Sequence, residues 1–546
     1  MAAKRPGLGN PEPFFGNVNE SNWESFTVTC KGNRLLKMIE NYSGNIPGSG
    51  ALMTFKDSSC IVVAAQPHFK AQDPDTTIFW GYGLYTDHVG DYVKKPMRDC
   101  TGAEILKELL HQLHWEEHQE EIMADVVNVI PCMMPYVDAP EWENRYPTIS
   151  ALLMSNANKR ELQRISAGLT AALSRLAEAL RTNNNGAMPF NLFNMTDKLT
   201  PYILADNSDH VSYISRLDFV KNTDGCYKLV EINSDTPCAL PETFYANKVA
   251  EAYFAKEYGL HLQPRSDGEE LAEPFLKLLE QPKYADKDVV RIAFAADKGY
   301  SEDWANAKFL FERVQEVLRE RILSKQPFVC RLVGLDELIV HDDGVYIPNE
   351  IFHKEDRIDI LYRLHPLELL MDDESEDGYP VGLKLMELAN FGAVDLVNPV
   401  KSIVLQNKAL LALAWYLYQH RLFWTPQEEE LLAAHLTPTY LDSKPLAGQR
   451  YIKKPIFGRE GAGIAIVEPD GATSYEAEEC DDCDLIYQQF VPSADVQQET
   501  DNGEATGKYT YSCFVINGKA SETFVRLQPG EIIGVEAYFV PVLDEI

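Results

Sequence analysis

The run YIKKPIFGREGAG, from Tyr451 to Gly463, constrains the fold more than any other stretch of the chain. It sets two lysines and an arginine against a glycine-rich turn, and strand character resumes at Ile464-Ala-Ile-Val467. A P-loop would carry Gly-Lys followed by Ser or Thr and run straight into a helix, and this run does neither. The spacing therefore predicts strand, loop, strand. Glycines such as Gly461 let main-chain N–H groups approach phosphoryl oxygens, while Lys454 brings a point charge and Arg459 a planar fork. The same residues also fit an ordinary hairpin with a basic edge.

Composition narrows the setting. A chain of 546 residues exceeds one ordinary core and predicts about two to four domains. Its 45% hydrophobic and 10% aromatic content is that of a folded protein, and its formal charge of −33 repels nucleic acid and anionic membrane surfaces. Against that field a local basic cluster stands out. The start, MAAKRPGLGNPEPFFGN, has no apolar signal core, and no run is long and apolar enough for a membrane span, so a cytoplasmic location is expected. Ten cysteines form no framework. Cys480-Asp-Asp-Cys483 is a lone CxxC whose flanking acids oppose thiolate formation, and a surface loop is expected there rather than a metal or redox site.

A break near Pro140 separates two unlike pieces. Before it, strands are predicted at Ser25 to Thr29, Ala51 to Phe55, Cys60 to Ala65 and Thr77 to Leu84, with a turn at Pro47 to Gly50. A helix follows, opened by the capping box of Thr101 and Glu104. It places His111, His114 and His118 on one face, which is expected to be its solvated face rather than a metal site. After the break, Leu162, Ile165, Leu169, Leu173, Leu176 and Leu180 recur at helical spacing, which predicts a long packing helix stopped at Asn183 to Gly186. Strands and helices then alternate, and Asp372 to Asp377 is expected to be an exposed acidic loop.

Arg216-Leu-Asp218 is followed, after a turn at Asn222 to Gly225, by Lys228-Leu-Val-Glu231-Ile-Asn233-Ser-Asp235-Thr236. Alternate strand residues share a face, so Arg216 points with Asp218 and Glu231 with Asn233. An antiparallel hairpin would set the two pairs opposite one another. Two carboxylates and an amide oxygen are a hard donor set of the kind Mg2+ accepts, and a solvent-facing pair of strands with a cross-strand ion pair accounts for the same residues.

Taken in order, SRLDFV around Arg216, KLVEINSDTP around Glu231, RLHPLELL around Glu368, VLQNKALL around Lys408, the Lys454 loop, LIYQQF around Gln488 and SCFVINGK leading to Arg526 resemble the glutathionylspermidine synthase group of ATP-grasp ligases. The resemblance runs from about Tyr146 to the C-terminus. It implies a multidomain α+β and α/β architecture: a pre-ATP-grasp and substrate region over residues 140–400 and an ATP-grasp nucleotide region over 401–546. It further implies ATP and Mg2+ as cofactors, with Asp218, Glu231 and Asn233 holding the metal and Lys408 and Lys454 the phosphates. Arg216 and Arg526 would stabilise the transferring phosphoryl group, Ile486 to Gln488 would meet the adenine, and Thr236, Cys238 and Glu368 would face the substrates, a peptide-like carboxylate and an amine. The chemistry implied is carboxylate phosphorylation followed by amide formation. Arg526 is followed by Leu527 where an acidic neighbour is expected, and the amidase half of the bifunctional bacterial enzyme has no counterpart here.

The first piece has its own resemblance. QPHFKAQ, FWGYGLYTDHVGDYVKKPMRDCTGAEILKELL and IPCMMPY are similar to the later part of oleate hydratases, FAD flavoproteins that add water to an unsaturated fatty acid, over residues 5–138. An α+β segment at 1–139 is implied. No GxGxxG opens a βαβ unit in it, so no flavin site or hydratase activity is expected. The alternative to a ligase is a non-catalytic or fatty-acid-related protein, with the charged residues of the second piece as the feature that separates the two readings.

Overall fold

In the computed structural model, four strands are described before residue 147, together with residues 147–148, 150–182, 197–257, 260–322, 326–349, 354–458, 461–477, 484–500, 503–532, 534 and 537–546. The chain divides into two units, Met1–Cys132 and Met133–Ile546. The first contains an antiparallel sheet in the order Trp23–Lys31, Thr76–Tyr85, Ser58–Lys70 and Met53–Phe55. Each falls on one of the stretches expected from alternation. The helix expected after Thr101 with its three histidines, the turn at 47–50, the stop at 183–186 and the Cys480–Cys483 pair lie outside the described residues.

In the second unit the helical spacing of leucines gives Asn156–Thr182, with Leu162, Ile165, Leu169 and Leu173 wholly buried. This helix packs beneath an antiparallel sheet whose order is Tyr538–Val540, Lys519–Gln528, Gly503–Ile516, Ile214–Lys221 and Tyr227–Asn233. Alternation with one extra residue, Val230, sorts the hairpin residues: Leu217, Phe219 and Leu229 enter the core, Ile232 joins them past the extra residue, and Arg216, Asp218, Glu231 and Asn233 are left for the other face.

Beside it lies a parallel sheet, Asp395–Val397, Ile360–Leu364, Val290–Ala296 and Phe328–Gly334. Its central strands are mostly apolar and almost wholly buried, Arg291 and Arg363 being the charged exceptions, the pattern of parallel strands covered on both faces. A second antiparallel sheet runs Thr439–Tyr440, Leu485–Gln489, Tyr451–Pro455, Ala465–Val467 and Thr473–Glu476. Tyr451–Pro455 and Ala465–Val467 pair antiparallel across the glycine turn, so the strand, loop, strand arrangement is present. Gly461 at φ 78° and Gly463 at φ 68° show why glycine is needed there, since a side chain would be strained at either position. The acidic stretch from Asp372 to Asp377 is largely exposed.

Candidate functional site

Pairing of Ile214–Lys221 with Tyr227–Asn233 sets Arg216 opposite Asn233 and Asp218 opposite Glu231. Directly opposed residues share a face, so four polar side chains converge on one patch of sheet. Arg216 closes on Asp218 as a fork, Nε to Oδ1 and Nη2 to Oδ2, both at 2.9 Å. Its Nη1 donates to the Cys238 carbonyl at 2.8 Å. Asn233 Nδ2 donates to Asp218 Oδ2 at 3.2 Å, and Arg526 Nη2 reaches the same oxygen at 3.3 Å from Lys519–Gln528, two strands away across Gly503–Ile516. Burial alone would raise the Asp218 pKa; Arg216, with Arg526 behind it, outweighs this and lowers it to about 2. Arg526 Nε is buried with no hydrogen-bond partner.

One irregularity in the hairpin positions the next group. The register jumps so that Glu231 faces Asp218 while Leu229 faces Phe219, leaving Val230 as an extra residue. Its carbonyl accepts from Lys454 Nζ at 2.9 Å and from Gln488 Nε2 at 3.5 Å. The bulge thus joins the phosphate-loop strand to the hairpin. Lys408, which precedes the helix Ala409–Gln419, donates Nζ to the Gly458 carbonyl at 2.7 Å and lies 3.5 Å from Glu231. Burial pulls the Lys454 pKa down from 10.5 to about 8, with Lys408 adding to the fall and Glu231 and Asp218 opposing it.

Arg216, Asp218, Glu231, Asn233, Lys408, Lys454, Gln488 and Arg526 therefore come together. Gly461 lies in the loop whose Gly458 carbonyl Lys408 holds. Ile486 sits opposite Lys454 in the sheet with its side chain in the core, so only its main chain is free to face a ligand. Gln488 is 1% exposed, donates to Thr439 Oγ1 at 3.0 Å, and keeps Oε1 without a partner. Thr236 and Cys238 continue the chain past Asn233, with Cys238 Sγ 3.7 Å from Asp303 Oδ1. Glu368 is on the short helix Leu367–Leu370, and Arg459 lies outside the described residues.

The sequence reading assigned no part to three polar residues that hold this patch in place. Gln406 Oε1 accepts from the amides of Ser234 at 2.7 Å and Asp235 at 3.2 Å. Asn398 Oδ1 accepts from Tyr213 and Ile214, and its Nδ2 donates to Ile214 and Asp235. The third, Asp235, pairs with Arg363. A polar residue inside an apolar run, as Gln406 is in IVLQNKALL, was the available signal. Among the described residues no group of three or more His, Cys, Asp or Glu is placed to hold a metal, and no helix is long and apolar enough to cross a membrane.

Two antiparallel sheets facing a common patch of buried cations and paired acids, with a parallel-sheet region beside them, define a mixed α/β protein of the ATP-grasp type. Residues 142–543 match the family described as glutathionylspermidine synthase preATP-grasp, and the chain belongs to that family. Residues 1–145 match the MCRA family. A linoleate hydratase from Lactiplantibacillus plantarum is 36% identical over 152 residues, 24% of this chain and 26% of the relative. A putative acid–amine ligase from Haemophilus influenzae is 27% identical over 256 residues, 46% of this chain and 54% of the relative. The chain thus spans about a quarter of the hydratase and about half of the ligase. The apo structure of a glutathione synthetase-like effector from Globodera pallida aligns with TM-score 0.49 at 10% identity, covering 78% of this chain and 96% of that one.

Proposed function

We propose that the second unit is an ATP-dependent carboxylate–amine ligase that phosphorylates a peptide-like acid and transfers the acyl group to an amine. The observation that carries the reading is the charge balance of the site. Arg216, Arg526, Lys408 and Lys454 stand against Asp218 and Glu231, four cations to two carboxylates, in a chain of formal charge −33. A positive surplus at a buried site suits a polyphosphate.

The donor set fits a divalent cation as well: Glu231, half-buried and 3.5 Å from Lys408, is the accessible carboxylate, with Asn233 and Asp218 beside it. Mg2+ held by these three would neutralise phosphate charge. Lys408 and Lys454 hold phosphate oxygens, and the main chain of Ile486 to Gln488 meets the adenine. The substrate carboxylate oxygen attacks the γ-phosphorus and ADP leaves. Arg216 and Arg526 bear the charge spread over the transferring group, where positioning and neutralisation matter more than a protein nucleophile. The amine nitrogen then attacks the acyl carbon, losing a proton as phosphate departs, with Thr236, Cys238 and Glu368 facing the two substrates.

In this reading residues 140–400 form the pre-ATP-grasp and substrate region, 401–546 the nucleotide region, and the protein works in the cytoplasm. Residues 1–139 are an accessory or lipid-contact segment, a reading favoured by the hydratase relative's match there. The test is to incubate the purified protein with MgATP and a panel of peptides and polyamines, measuring ADP and product mass. ADP formation that depends on an acid, with an amide-linked product, supports the ligase; no ADP with any pair rejects it.

A further inference from the structure

The most heavily bonded carboxylate beside the site takes no part in the chemistry above. Asp235 is 2% exposed. Its Oδ1 accepts from Arg363 Nη2 at 2.5 Å and Ser402 Oγ at 3.1 Å. Its Oδ2 accepts from the Leu367 amide at 2.8 Å and Arg363 Nη1 at 3.4 Å. Arg363 is 1% exposed, lies on the strand Ile360–Leu364, and donates Nη1 to the His365 carbonyl at 2.6 Å.

A buried ion pair is weak evidence of stability, because apolar residues of the same volume often serve as well. An apolar pair would not, however, fix direction. Asp235 follows Asn233 by two residues, at most about 7 Å of chain, and its carboxylate receives the first amide of the helix carrying Glu368. One side chain therefore joins the strand bearing Glu231 and Asn233 to the helix bearing Glu368. A misplacement of about 1 Å between reacting groups can cost on the order of a hundredfold in rate. We propose that Asp235, held by Arg363, is a positioning residue that sets the acid substrate, through the Glu368 helix, against the phosphoryl-transfer side of the site. This rests on the ligase reading.

The test uses the full chain, with glutathione and spermidine, the acid and amine of the family's name, as probes. Asp235→Asn alone leaves the Arg363 charge buried, so the double variant Asp235→Asn with Arg363→Gln removes both charges. Expected for the folded double variant is a KM for glutathione raised on the order of tenfold, with the KM for ATP unchanged within about twofold. Hydrogen exchange should quicken on the order of tenfold at the amides of 367–370 and stay unchanged at 214–221. Asp235→Glu, which keeps the charge but lengthens the link, should fold and still raise the KM for glutathione. Both KM values rising together, neither rising, or exchange at 367–370 unchanged would overturn the positioning role. A parent protein that forms no ADP with glutathione and spermidine or with any other pair of the peptide and polyamine panel overturns the ligase reading itself and with it any role in the reaction, while the exchange measurement still decides the tether.

Discussion

Lys454 reaches the Val230 carbonyl at 2.9 Å, and Val230 is the bulged residue of the hairpin, opposite no partner on the neighbouring strand. Tyr227–Asn233 is the edge strand of its sheet, so a carbonyl turned away from the hairpin is open to a donor from another sheet. The ammonium this carbonyl receives is buried, and burial pulls its pKa down to about 8.

Two effects of opposite sign follow from the Lys454 pKa of about 8 against an ordinary 10.5. Between those values the unfolded chain holds the proton and the folded chain does not, so this group makes stability rise with pH across the window; the cost of burying its charge is largest below pH 8. Polyphosphate affinity runs the other way, because phosphate needs the ammonium. MgADP titrated calorimetrically from about pH 7 to 9.5 should bind more weakly above pH 8. Lys454→Arg should flatten that limb, since guanidinium stays charged. A pH-independent affinity in the unaltered protein would remove Lys454 from the phosphate site.

Asp218 and Glu231 face each other yet should respond differently to amidation. Asp218→Asn leaves Arg216, 7% exposed, without its counter-charge, at a cost of about 3–5 kcal/mol in urea denaturation. The Asp218 contribution is present above its ordinary pKa of 3.8 and lost as pH falls through about 2. Glu231→Gln should change stability by no more than about 1 kcal/mol, because its 3.5 Å pair with Lys408 is partly solvated. ADP formation should nevertheless fall about a hundredfold or more in that variant. Normal turnover by Glu231→Gln would take the hairpin out of the active site.

Away from the site, Asp544 receives Lys159 at 2.6 Å and Arg265 at 2.9 Å, and Glu522 receives the same two cations at 2.7 and 3.0 Å. Asp544→Ala leaves two buried cations sharing one acid and should cost about 3–5 kcal/mol. Breaking the more exposed pair of Arg175 with Glu428 by Arg175→Ala should cost about 1 kcal/mol or less. Equal losses in the two variants would mean that the buried network adds nothing.

Every residue given a chemical role lies after Pro140. A chain beginning at Glu141 should therefore fold and keep any acid-dependent ADP formation, while residues 1–139 should show no hydratase turnover and no flavin absorbance band. The decisive step is to mix the separated pieces. Activity that is absent from a soluble second piece and returns on adding the first would make the first piece part of the enzyme.

Periodicity carried much of this protein. Leucines at helical spacing determined the helix Asn156–Thr182, and alternation put Arg216 on one face with Asp218 and Glu231 on one face with Asn233, because both patterns depend only on neighbours along the chain. The glycine loop declared strand, loop, strand for the same reason. It took the Val230 bulge to turn the two pairs onto a common face. Tertiary structure alone decided the Val230 bulge, the approach of Lys454 from 224 residues away, and the pairing of Asp235 with Arg363 at a separation of 128. No local pattern encodes a partner so distant. Which buried donor meets which acceptor is settled only when the apolar faces of separate sheets close together and each polar group left inside must find its bond.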